Sequence, residues 1–158
     1  MSEIIITFCG HSSVPNKEET VRKLVQQFTG VVSEIPAEQC VTFYCGGYGD
    51  FDFCAEKATL ETKKAFPGRE IKRFYITPYI DDSHRERLND MEKRFDGTIY
   101  PPLETVPLKY AISKRNEWMI DQADMVVSGV THDWGGAAKT LKYAERKKKR
   151  IISVFPKN

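Results

Sequence analysis

The stretch "VVSGVTHDWGGAAKTLKYA", Val126 to Ala144, decides the fold. It opens as a short apolar run with the character of a buried strand, passes through a glycine turn and continues as a helix. At Gly135 and Gly136 the backbone is bare, so main-chain amides can approach an anion where the incoming helix terminus favours negative charge. Ala137 and Ala138 add close approach for a helix or a ligand. In enzymes such turns often carry an acid, and this one has the glycines without a carboxylate where a catalytic one would be expected.

Five segments share the strand character of that first half: "IIITFC", "VTFYC", "IKRFYIT", "MVVSGV" and "RIISVF". They are rich in β-branched and aromatic residues and nearly continuous in apolar character, which suits strands covered on both faces. Helical stretches separate them. "KEETVRKLVQQFTGVV" sets Val21, Leu24, Val25 and Phe28 on one stripe, and "FCAEKATLETKKAF" does the same less cleanly with Cys54, Ala58, Leu60 and Ala65. "SHRERLNDMEKRF" reads as a further helix, "DGTIYPPLETVP" as a proline-broken loop, and "KYAISKRNEWMIDQA" as a helix before the fourth strand. Strands alternating with helices predict an α/β fold, a Rossmann-like three-layer sandwich on a mostly parallel sheet of about five strands.

The 158 residues suit one domain, 1–158. With 41% hydrophobic and 29% charged residues the composition is that of a globular protein, and no apolar run is long enough to cross a bilayer. "SEIIITF" carries an acid and lacks a basic flank, so it reads as a strand rather than a secretory leader, and a cytoplasmic location is the expectation. A net charge of +2 leaves no general footprint for nucleic acid. The exception is "RKKKR", Arg146 to Arg150, which reads either as cations complementing a helix C-terminus or as an anion or nucleic-acid contact. Cys9, Cys40, Cys45 and Cys54 form no C-x-x-C pair, and His11, His84 and His132 are scattered, so no metal site is expected.

In a right-handed parallel sheet the loops leaving the C-terminal ends of the strands gather on one edge, where ligands bind near a switch in strand order. That rule collects the candidate residues. "GHSSVPN" offers Gly10, His11 and Ser12 as a polar turn or as phosphate donors, with Asn16 placed to cap the first helix. "GGYGDFD" offers Gly46, Gly47 and Gly49, with Asp50 and Asp52 as caps or as acceptors for ribose hydroxyls. "TPYIDDSH" brings Thr77 and Tyr79, and "THDWGG" brings Thr131, Trp134, Gly135 and Gly136, Trp134 being either a stacking platform or a lid. Arg115 and Asn116 lie on the helix before the fourth strand, where the guanidinium either forks onto a phosphate or meets solvent.

The segments "FCGHSS", "FYCGGYGDFD", "YITPY" and "AISKRNEWMIDQADMVVSGVTHDWGGAAKTLKYA" together resemble a YpsA-like member of the SLOG superfamily. That Rossmann-like group includes the lonely-guy cytokinin-activating proteins and the DNA-processing protein A domain. The resemblance covers nearly the whole chain. It implies a nucleotide or nucleotide-derived ligand, such as an ADP-ribose-like molecule, at the strand ends, and a homo-oligomer paired through helices. Lonely-guy phosphoribohydrolases carry a helical arginine, an A-D strand start and a P-G-G-x-G-T-x-x-E turn with a catalytic glutamate. Arg115 and the Ala123-Asp124 pair match, Gly135 and Gly136 match loosely, the motif's proline and threonine are absent, and Lys139 and Thr140 stand in the region where the glutamate belongs.

Nucleoside deoxyribosyltransferases, with a related fold, use a similar acid. A lysine is a poor replacement, because stabilising a developing oxocarbenium ion or activating water needs an anion or a general base. The expectation is therefore a nucleotide-binding or sensing protein with no assigned catalytic residue. A carboxylate relocated to Asp50, Asp52 or Asp133 would support N-glycosidic cleavage or transfer instead, and single-stranded nucleic-acid binding through Arg146 to Arg150 is the third reading.

Overall fold

The computed structural model of the chain describes residues 2–155. Six strands form one sheet: β1 (Glu3–Gly10), β2 (Cys40–Cys45), β3 (Ile71–Ile76), β4 (Gly97–Ile99), β5 (Met125–Gly129) and β6 (Arg150–Ser153). Their order is β4-β3-β2-β1-β5-β6, and every neighbouring pair is parallel. The central strands β2 and β5 are buried at every residue, as their unbroken apolar sequences require when both faces are covered.

Two helical layers provide that cover. Helices α1 (Lys17–Glu34) and α2 (Asp50–Ala65) pack on one face with α3 (Arg85–Arg94), closing a core around Phe8, Phe28, Phe43 and Phe51. Helices α4 (Ala111–Gln122) and α5 (Gly136–Arg146) cover the other face over Val126, Ile120, Ala123 and Ala144. Each phenylalanine removed fully from water contributes about 2–3 kcal/mol of transfer free energy. The predicted three-layer α/β architecture is the one found, with six strands where five were expected.

The sixth strand, β4, lies inside "DGTIYPPLETVP", the segment expected to be a loop. Three residues are too few to show a strand period, and their pairing is set from outside by β3, with Gly97 opposite Phe74 and Ile99 opposite Ile76. In α2 the buried face is Phe51, Cys54, Ala55, Ala58, Thr59 and Thr62, while Leu60 and Ala65 are exposed. Those buried positions follow a 3.6-residue stripe begun by Phe51, and Leu60 falls off it. The α1 stripe holds: Leu24 and Phe28 are buried, Val21 and Val25 pack beside them, and Asn16 caps the helix by accepting from the Glu19 amide at 3.0 Å.

The basic segment has structural work. Lys149 Nζ donates to the carbonyls of Asp121 and Ala123 at 3.2 and 2.9 Å, closing the C-terminus of α4, and Lys147 faces the Asp121 carboxylate at 3.7 Å. Both cations complement the end of a neighbouring helix as well as their own.

The order reverses at β1: the chain runs outward through β2, β3 and β4, then returns to the other side of β1 as β5. At this switch point Gly10 pairs with Gly129, and the buried ring of Phe51 lies across both. A β-carbon on either glycine would come within 2.1 Å of that ring, so neither position admits a side chain. This packing sets the first turn of α2 against the ends of the two strands.

Candidate functional site

The switch point opens into a cavity of about 290 Å³ at the C-terminal ends of β1 and β2 and the N-terminus of α5. Its position is the one that ligands of open parallel sheets use. Among the expected residues, Gly10, His11, Ser12, Gly46, Asp52, Arg115, Asn116, Trp134, Gly135 and Gly136 all border it. Turns more than a hundred residues apart in the chain therefore converge on one rim.

Five expected residues stand away from the cavity wall. Thr77 is buried and closes its own turn, donating Oγ1 to the Tyr79 carbonyl at 2.7 Å, and Tyr79 stacks on His84 with ring centroids 4.2 Å apart. Both follow β3, one strand too far from the switch point. Gly47 and Gly49 take positive φ values of 73° and 91° and line a separate outer groove with Arg87 and Arg94. Thr131 acts from behind, its amide donating to His11 Nε2 at 2.9 Å.

Arg115 is the most constrained side chain of the site, 1% exposed. Its Nη1 donates to the carbonyls of Gly46 and Ile76, both at 2.7 Å, and its Nε donates to Asn116 Oδ1 at 2.9 Å. These bonds occupy Nε and Nη1, one nitrogen of each two-nitrogen edge of the fork, so a bidentate grip of a phosphate is not available as expected. The remaining Nη2 makes no hydrogen bond to the described residues, yet it is not sealed from solvent, and Arg115 borders the cavity. Burial lowers its pKa while Asp52 opposes the shift, and a guanidinium so held stays charged.

Asp52 sits across from it. Its Oδ2 accepts from the Tyr48 amide at 2.9 Å, and its Oδ1 has no hydrogen-bond partner among the described residues. A β-carbon on Gly46 would lie 3.0 Å from Asp52 Oδ2 and 3.3 Å from Arg115 Nη2, so glycine keeps the space between the two charges open. Desolvation pushes the Asp52 carboxyl up to about 6, with Arg115 and the Tyr48 amide pulling the other way.

Neither of the other two candidate aspartates lines the cavity. Asp50 Oδ2 accepts from the Val14 amide at 3.0 Å and its other oxygen faces Lys17 at 3.5 Å, while Asp133 is exposed and outside the lining. Asp50 thus ties the first loop to α2 rather than capping the helix through its own side chain.

At the mouth three rings stack in series: His11 on His132 at 3.6 Å, and His132 on Trp134 at 3.8 Å. His11 Nε2 accepts from the Thr131 and His132 amides, which fixes its proton on Nδ1. Burial and the neighbouring His132 lower its pKa, so the ring is neutral near pH 7. His132 Nδ1 is buried without a partner among the described residues, and Trp134 leaves 68% of its surface exposed.

The wall also includes residues that were not expected as ligand contacts, among them His132, Ile112, Met119 and Thr140. Thr140 is the more telling one. It faces the cavity at the position expected to carry an acid, with Oγ1 bonded back to the Gly136 carbonyl at 3.0 Å, whereas Lys139 is exposed.

No family model matches the sequence, and no curated protein sequence matches it. The fold has clear counterparts among solved structures. DNA processing protein A from Helicobacter pylori, described for its single-stranded DNA binding mode, superposes with a TM-score of 0.64 at 15% identity over 99% of this chain and 67% of that one. DNA processing protein A from Streptococcus pneumoniae gives 0.63 at 14% identity, covering 99% of this chain and 51% of that one. The Moco carrier protein of Chlamydomonas reinhardtii gives 0.52 at 13% identity, covering 97% and 76%. The chain shares the Rossmann-like fold of these proteins and spans about half to three quarters of their length.

Among the described residues no group of three His, Cys, Asp or Glu side chains is placed to hold a metal, and no helix is long and apolar enough to cross a membrane. All four cysteines are buried and unpaired. Burial pushes the Cys9 thiol up to about 12 and raises Cys45 further, which leaves both as small core residues rather than nucleophiles.

Proposed function

We propose that this protein is a YpsA-like SLOG protein that binds or senses a nucleotide or nucleotide-derived small molecule in the switch-point cavity, without lonely-guy phosphoribohydrolase chemistry. One observation carries the reading. The buried guanidinium of Arg115 is fixed by two main-chain carbonyls and keeps Nη2 free at a cavity whose other wall is the open N-terminus of α5. The amides of Gly136, Ala137 and Ala138 have no partner among the described residues, and the first turn of α5 holds no acid. Free amides, a helix dipole and a cation together suit a phosphate.

Trp134 offers the stacking surface a base needs, and Asn116 and Ser12 add polar groups at the rim. The absence of an acid at Thr140 and Lys139 supports binding over turnover. The test is a thermal-shift series with AMP, ADP-ribose and NAD on the wild type and on Gly136→Asp. Gly136 has open space around its β-position, so the aspartate is sterically tolerated and favours the helix, yet it repels an anion. Stabilisation of the wild type and its loss in the variant support the reading; no stabilisation by any of the three contradicts it.

A second reading rests on Asp52, the one aspartate that borders the cavity and whose acidity burial has weakened. An N-glycosidase or transferase would use it as the relocated general base. Incubation with nucleoside monophosphates followed by chromatography for free base decides it, and turnover would have to vanish in Asp52→Asn. Single-stranded nucleic acid is supported less, because Lys147 and Lys149 are engaged by the end of α4.

A further inference from the structure

Trp134 reaches the cavity on a turn that hangs from one side chain. Among the described residues, Thr131 to Trp134 make two hydrogen bonds to the rest of the chain: the Thr131 and His132 amides donate to His11 Nε2 at 2.9 and 3.4 Å. The other tie is stacking, His132 on His11 at 3.6 Å and Trp134 on His132 at 3.8 Å. His11 stands on fixed backbone. Its carbonyl accepts from the Phe51 amide at 3.3 Å, the Ser12 carbonyl accepts from the Asp50 amide at 2.9 Å, and Gly10 pairs with Gly129. The imidazole is thus a rigid post, and the turn is the part that can leave it.

A ring nitrogen accepts a hydrogen bond only while it carries no proton. A proton on Nε2 turns the shared acceptor into a donor facing two N–H groups, and sets a cation against the His132 ring. No acid beside it offsets that charge. Asp50 at the start of α2 is paired with Lys17 of α1 at 3.5 Å, and Asp52 bonds the Tyr48 amide close to Arg115 of α4. Asp133 of the turn and Lys139 of α5 are exposed. Burial and the neighbouring His132 accordingly hold the His11 pKa below its ordinary value of 6.5.

We infer that His11 is a positioning residue of the site, a latch that holds the Thr131 to Trp134 turn while its ring is neutral and releases it when the ring takes a proton. Resting on the nucleotide-binding reading above, the latch regulates that same cavity: the turn is set for a ligand at neutral pH and loosened in acid. Because the latched ring binds a proton less readily than a free one, the latch is at full strength above pH 6.5 and weakens as pH falls from there.

Amide exchange followed by NMR, expressed as protection relative to an unstructured chain, tests it at about pH 7.5 and about pH 5. In the wild type the Thr131 and His132 amides should be protected at the higher pH and lose about tenfold of that protection at the lower one. His11→Phe keeps a ring to stack but no acceptor, and should leave both amides unprotected at either pH. His11→Gln offers an oxygen acceptor that does not titrate, and should keep them protected at both. Asp52 and His132 are present in all three proteins, so a pH response that survives in His11→Gln belongs to one of them and overturns the inference. It is overturned equally if wild-type protection does not change with pH, if His11→Phe matches the wild type, or if His11→Gln restores none of the protection. AMP titration is read separately. Its affinity should fall with pH several-fold more in the wild type than in His11→Gln, the phosphate's own titration being common to both, and an equal fall in the two overturns the regulation. If AMP binds neither protein at either pH, the nucleotide reading falls while the exchange data still decide the latch.

Discussion

Arg115 Nη1 and the Gly46 carbonyl meet at 2.7 Å, and the same nitrogen reaches the Ile76 carbonyl at the same distance. One buried cation on α4 thereby holds the ends of β2 and β3, and it is a support of the fold before it is a contact for any ligand. Arg115→Met removes both donors and leaves two carbonyls short of partners, which is expected to cost about 2–4 kcal/mol. Arg115→Lys should recover roughly half of that, since an ammonium can still reach a carbonyl. Urea unfolding of the three proteins measures the difference.

Asp52 makes stability depend on pH in an unusual direction. Its folded pKa, about 6, lies above the ordinary aspartate value of 3.8, so between those two pH values the folded chain holds a proton that the unfolded chain has released. Stability contributed by this group therefore falls as pH rises from 4 to 6 and stays level above. Asp52→Asn removes the penalty. The variant should match the wild type near pH 4 relative to any fixed offset and gain about 1–3 kcal/mol on it by pH 7.5. A difference that does not change with pH contradicts the assignment.

Two glycines of similar sequence context should respond oppositely to alanine. Gly49 has φ 91°, and a β-carbon there would lie 2.8 Å from the Ser12 Cα, a backbone atom that cannot turn aside. Gly49→Ala is expected to lose about 2–3 kcal/mol through strain and displacement of the first loop. Gly136 is the first residue of α5, without a positive φ and with nothing near its β-position, so Gly136→Ala should gain about 0.4–1 kcal/mol by restricting the unfolded chain. Thermal melts of both variants report the signs directly.

Trp134 stands 68% exposed and stacks only on His132. Trp134→Ala should change stability by no more than about 0.5 kcal/mol. Its effect on AMP binding is expected to be larger, about 1–2 kcal/mol, if the base lies on the indole as we propose. Titration calorimetry beside a denaturation curve separates the two quantities.

The layers of the fold were legible because strand and helix periods in β1, β2, β5 and α1 agree with their burial. β4 was not, since three residues carry no period and owe their pairing to Phe74 and Ile76 across the edge. The convergence of Ser12, Gly46, Arg115 and Gly136 was also legible, because the parallel topology dictates which loop ends share an edge. The division of labour among the glycines was not. Gly10 serves to admit Phe51, and Gly49 to admit Ser12, contacts that depend on packing between distant segments. Nor could spacing reveal that the amides of α2 are already bonded to His11 and Ser12 while those of α5 are free.

The central claim, that an anion is seated at the N-terminus of α5 beside Arg115, is tested most directly by amide-resolved NMR during titration with AMP. The account predicts the largest shifts at Gly136, Ala137 and Ala138, together with the Arg115 side chain, and little change at Asp50 and Phe51. Shifts centred on Gly47 to Phe51, or a spectrum that AMP leaves unchanged, would contradict it.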